Sequence, residues 1–132
     1  SLATAFQWSR QDLPMLISEV DHKRWKKSIY AFLETGDTET LPVMDHRACR
    51  FGQWYYSPES QRYASVESFK LLEAVHLDLH ETGRQMIQAH EAGNSAALAT
   101  LKAQLERHSG QLSDTILQVQ AEVLMNAPPS RQ

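Results

Sequence analysis

Apolar residues recur at steps of three and four along nearly the whole chain, and no segment shows the strict alternation of a half-buried strand. That property confines the chain to helices packed on helices. Met15, His22 and Ile29 repeat every seven residues, with Trp25 and Phe32 three residues after the last two. A first helix is predicted from about Asp12 to Glu34, with Asp12 as cap, Pro14 in the first turn and Gly36 as the stop. Its Lys23, Arg24, Lys26 and Lys27 fall largely on the solvent side. After a polar loop from Thr35 to Leu41, a short helix or turn is predicted to follow Pro42 and carry Asp45, His46 and Cys49, with Gly52 ending or bending it. Phe69, Leu72, His76, Leu79, Gly83 and Met86 share the stripe of a helix from about Glu59 to Glu91. Leu98, Leu101, Leu105, His108, Leu112, Ile116, Val119 and Val123 mark a last helix from about Ala96 to Met125. The expected fold is all-α, an antiparallel four-helix bundle with a short extra helix carrying the cysteine motif.

A length of 132 residues suits one domain, 1–132, with its core at about 13–125. The start at Ser1 and the finish in Ala127-Pro128-Pro129-Ser130-Arg131-Gln132, which cannot continue a helix, suggest a module excised from a longer protein. Thirteen basic and 16 acidic side chains give a net charge of −3, which opposes a general nucleic-acid or anionic-membrane binder. No apolar run approaches the roughly 20 residues of a membrane-spanning helix. One cysteine, Cys49, excludes an internal disulfide and fits a cytoplasmic location.

Three histidines stand where the pattern asks for apolar residues or flank such a position. His76 and His80 are spaced i, i+4, so both imidazoles share one helix face, one turn apart. His22 occupies the seam between Met15 and Ile29. A buried imidazole needs partners for both nitrogens, and a core histidine bonded to a carbonyl would satisfy that for any one of them. Taken together with the Cys49 thiol, they make a candidate tetrahedral site of three nitrogens and one sulfur, a set that suits zinc better than magnesium or calcium. His22 to Cys49 and Cys49 to His76 are both 27 residues apart, so such a site is assembled by tertiary packing. Cys49 also reads as a small buried hydrophobe.

Asp21-His22 followed by Trp25-Lys26, then Cys49-Arg50-Phe51-Gly52-Gln53-Trp54-Tyr55, then His76-Leu77-Asp78-Leu79-His80 resemble the chemoreceptor zinc-binding domain, a bacterial cytoplasmic helical sensor family. The resemblance spans roughly Leu13 to Leu124. It implies one Zn2+ ion held by His22, Cys49, His76 and His80 in a four-helix bundle. It also implies attachment to a chemoreceptor or a diguanylate cyclase, a homodimer, and sensing of zinc or of hypochlorous acid through Cys49. Four protein ligands would close the shell, so an enzyme is not expected. Oxidation of Cys49 would weaken it as a ligand and loosen the tie between helices.

His46, three residues before Cys49, could compete for the metal, while Asp21, Asp78 and Glu81 could orient an imidazole. Trp25 and Trp54 read as core or lid aromatics, and His108 as a core or supporting histidine. Three other classes stay open. A di-iron bundle would use Glu19-Val20-Asp21-His22 and Glu73-Ala74-Val75-His76, but lacks good inward carboxylates on the other helices, Glu106 being the nearest. A zinc hydrolase lacks His-Glu-x-x-His and an open coordination position. A helical dimerisation or docking bundle with a structural metal or none would tolerate His22→Leu.

Overall fold

The computed structural model describes residues 8–126 of the chain. It is all-helical there, with five α-helices and three short 3-10 turns. The helices are α1 (Leu13–Leu16), α2 (Ser18–Thr35), α3 (Arg50–Tyr55), α4 (Glu67–Glu91) and α5 (Ser95–Asn126). The expected helical bundle is present, with α2, α4 and α5 as its long members and α3 as the short one bearing the cysteine motif. The proline-rich end, Ala127 to Gln132, lies outside the described residues.

Side-chain pairs fix the directions. His22 sits beside His76 and His80, and Phe32 beside His90, so α2 and α4 run the same way. Ser68 at the start of α4 bonds Glu122 near the end of α5, and a tight turn at Gly93 (φ 68°) reverses the chain between them. Lys26 and Tyr30 of α2 both reach Glu106 of α5. The stripes read from the sequence form the interior: Met15, Ile29, Leu72, Met86, Leu105 and Val119 are wholly buried. Burial of each such side chain contributes about 1.5–3 kcal/mol.

The boundaries of the first helix and of α4 depart from expectation, and the segment after Pro42 takes the turn alternative. The first helix breaks at Ile17 (φ −105°, ψ 6°), and Asp12 does not cap it. Asp12 is instead buried and accepts hydrogen bonds from the Ser9 N–H, the Tyr63 hydroxyl and Arg62. Of the short helix or turn expected after Pro42, the turn is present, over residues 46–48; ahead of it the Val43 and Met44 carbonyls are taken by the Trp25 and His80 side chains, and Cys49 is the cap before α3. Helix α4 begins at Glu67 and not at Glu59, because Pro58–Tyr63 is a separate 3-10 turn. Ser60 hydroxyl bonds to the Tyr55 and Ser57 carbonyls there compete with a continuous helix.

Gly52 neither ends nor bends α3 but lies within it. A Cβ at this position would fall almost on the His46 carbonyl, so only glycine lets the preceding turn fold back against the helix.

Candidate metal centre

Helix α2 supplies His22, the cap of α3 supplies Cys49, and α4 supplies His76 and His80. One donor atom from each lies within 4.8 Å of all the others. The Cys49 Sγ is 3.3 Å from His76 Nε2, inside the roughly 3.3–3.7 Å between donors on a tetrahedral zinc shell. His22 and His76 ring centres are 4.8 Å apart and those of His76 and His80 are 4.7 Å apart. All three imidazoles are buried, whereas Cys49 is half-buried.

Hydrogen bonds decide which ring nitrogen faces the cluster. The His22 Nδ1 is 2.8 Å from the Ser18 carbonyl and the His80 Nδ1 is 2.9 Å from the Met44 carbonyl. A carbonyl only accepts, so both Nδ1 atoms carry the proton and both Nε2 atoms are bare lone pairs. The His80 Nε2 is buried without any partner among the described residues. Leaving such a group unpaired costs about 1–3 kcal/mol, and a coordinated cation removes that cost. The donor set and the orphaned nitrogen therefore fit zinc. Cys49 Sγ accepts from the Gly52 N–H at 3.3 Å, which aims the sulfur inward.

Burial also favours the neutral form of the four side chains. His76 is pushed down to about 2, first by burial and then by the neighbouring histidines. His80 is pushed down to about 4, again chiefly by burial, against an opposing bond to Met44. Burial likewise lowers His22 and raises the Cys49 thiol.

Residues 22–87, half of the chain, match the family model of the chemoreceptor zinc-binding domain. The chain belongs to this family. The matched stretch contains all four converging residues, and the family makes the chain a zinc-binding module of the kind found in signalling proteins. Neither the comparison with curated proteins nor that with solved structures gives a match. No helix among the described residues is long and apolar enough to cross a membrane.

Within this chemoreceptor zinc-binding domain, His46 stands beside the cluster but outside it. Its ring is 5.8 Å from that of His76, and its Nε2 faces the Tyr56 hydroxyl at 3.2 Å. The carboxylates expected to steer imidazoles do other work: Asp21 takes a bidentate pair of bonds from Arg50, and Glu81 pairs with Arg84. Asp78 is exposed. Glu19, Glu73 and Glu106 pair with Lys23, Tyr56 and Lys26 respectively, so the carboxylates of a di-iron centre are engaged elsewhere. His108 is half-exposed and faces Gln111. The sequence reading missed the two carbonyls that orient His22 and His80. Ser18, four residues before His22 on the same helix, was open to inference; Met44 carried no signal, since any residue provides a carbonyl.

Metal-free protein is expected to lose stability on acidification. The folded pKa of His76 and of His80 lies below the unfolded value of about 6.5. The unfolded state therefore binds more protons, and stability falls as pH drops below about 6.5. At pH 5 the loss is about 2 kcal/mol per imidazole, and it depends little on the folded value once that is below 5. Urea unfolding of chelator-treated protein at pH 7.5 and pH 5 measures it; equal midpoints would contradict neutral buried imidazoles.

Proposed function

We propose that this domain is a zinc-dependent sensory and regulatory module of a cytoplasmic bacterial signalling protein, and that His22, Cys49, His76 and His80 hold one Zn2+ ion. The observation that carries the reading is the convergence of four donors around a buried imidazole nitrogen with no other partner. A bound zinc ion would act as a cross-link and an acid that keeps the Cys49 sulfur deprotonated. The chain's own residues close the shell, so the role is regulation and not catalysis. The ligands come from α2, α4 and the turn before α3, so losing one loosens three elements at once.

Cys49 is the ligand that the environment can reach. It lines, with His22, a cleft of about 290 Å³ between α2 and the segment around Pro42. Reaction of its thiolate with hypochlorous acid gives a sulfenic acid and chloride: sulfur loses two electrons, chlorine gains them, and oxygen moves to sulfur. An output domain of a chemoreceptor or diguanylate cyclase, working as a homodimer, would read the helix rearrangement. Exposed Leu117 and Leu124, one heptad apart on α5, support pairing with a second copy.

Zinc per chain on protein purified without added metal tests the reading. About one zinc is expected in the native chain, held less tightly in Cys49→Ala, and released from the native chain by hypochlorous acid. Negligible zinc in both, with the helices intact, would leave a docking bundle. Zinc retained through oxidation of Cys49 would remove the oxidant branch alone.

A further inference from the structure

We propose that Trp25 is a positioning residue for the metal centre, acting through His80. The inference rests on the zinc reading but concerns how the His80 ring is held. Trp25 is buried, and its indole N–H donates to the Val43 carbonyl at 2.6 Å. The next carbonyl along, that of Met44, accepts from His80 Nδ1. Trp25 also covers the face of the His80 ring, with centres 4.4 Å apart and planes 38° from parallel. One side chain thus holds both the ring and the peptide segment that fixes its tautomer.

That segment needs holding. Residues 41–45 form no helix, and among the described residues no backbone hydrogen bond engages the Val43 or Met44 carbonyl. Two side-chain N–H groups pin it, one from α2 and one from α4. Trp25 itself is seated in a notch in α4: a Cβ on Gly83 would stand 2.6 Å from its ring edge. A mid-helix glycine costs about 1 kcal/mol relative to alanine, and here it makes room for the indole.

The consequence lies at Nε2. With its face covered and Nδ1 bonded, the His80 ring cannot turn to give Nε2 a hydrogen-bond partner, so that nitrogen stays bare and aimed at the cluster. Without Trp25 the ring and segment can relax together, the unpaired nitrogen finds water, and a metal ion must then reverse that relaxation. Groups that orient a metal-bound histidine typically change affinity by about 10–100-fold.

Trp54 provides a matched control. It is equally buried and its indole donates to the Gln11 carbonyl at 2.6 Å, but its ring packs on Phe51, Tyr63 and Phe69 and not on a ligand. Zinc affinity, measured against a competing chelator, is expected to fall about 10–100-fold in Trp25→Phe. In Trp54→Phe, whose ring meets the cluster only through Phe51, it should fall by less than in Trp25→Phe, and an equal fall in both would make the effect one of general packing. Nitrogen NMR of the histidines adds a readout independent of metal and of any variant's folding: in metal-free native protein His80 should carry its proton on Nδ1. A proton on Nε2, or equal zinc affinity in Trp25→Phe and the native chain, would overturn the proposal. A native chain that takes up no zinc would sink the zinc reading, while a His80 tautomer and ring signal unchanged between the native chain and Trp25→Phe would still overturn the positioning.

Discussion

Gly52→Ala is expected to destabilise the protein by about 1–2 kcal/mol net and to weaken metal binding with it. On helix propensity alone the sign should be opposite, because alanine in a helix is favoured over glycine by about 1 kcal/mol. The added methyl, however, meets the His46 carbonyl carbon and oxygen and the Arg47 Cα, all backbone atoms that cannot swing away. Overpacking of this kind typically costs about 1–3 kcal/mol or more. Relief would require the His46–Ala48 turn to move, and that turn leads directly into Cys49. Both bonds recorded for its sulfur within this turn, from the Gly52 N–H and to the His46 carbonyl, would be disturbed. Gly110→Ala is the comparison. It lies within α5, and a Cβ there meets nothing within 4 Å. The same change should stabilise by about 0.5–1 kcal/mol. Chemical denaturation of both variants measures the contrast. A Gly52→Ala protein as stable as Gly110→Ala would mean that the turn does not pack on α3 as described.

Gly52 also marks the limit of what the sequence reveals. The long helices were legible because each buries a stripe repeated over several turns, so Leu72, Leu79 and Met86 speak for one another. The candidate ligands were legible for a related reason: His22 and His76 break such stripes, and a polar residue on an apolar stripe demands a partner. Cys49 followed from being the sole thiol. The segment from Pro42 to Tyr63 has no such redundancy. Its shape is set by single contacts from distant residues, Trp25 to Val43, His80 to Met44 and Tyr63 to Asp12, and no local pattern encodes them. Gly52 read as a helix stop because helix-ending glycines are common; the close approach of a carbonyl looks the same in sequence. Gly83 falls on the buried stripe of α4 where a larger apolar residue would be ordinary, and the indole it accommodates supplies the reason.

His22→Leu should separate a metal site from a merely tolerated core histidine. Without metal, the change removes a buried imidazole and its bond to the Ser18 carbonyl and substitutes an apolar side chain. A hydrogen bond contributes about 0.5–1.5 kcal/mol net, and relief from burying the ring offsets it. Metal-free stability should therefore change by no more than about 1 kcal/mol in either direction. With zinc the two chains diverge. Free zinc at a thousandfold excess over its dissociation constant adds about 4 kcal/mol to the native fold. Removing a ligand should weaken binding at least as much as removing a group that orients one, about 100-fold. At the same zinc concentration the variant then gains only about 1.4 kcal/mol, and less if the affinity falls further. Thermal or urea unfolding with and without zinc gives four values, and the zinc-dependent difference between the chains is the quantity of interest. A difference near zero would return His22 to the core as an ordinary buried imidazole. A difference of 2.5 kcal/mol or more would tie it to the metal, since in the metal-free state the substitution has little to lose.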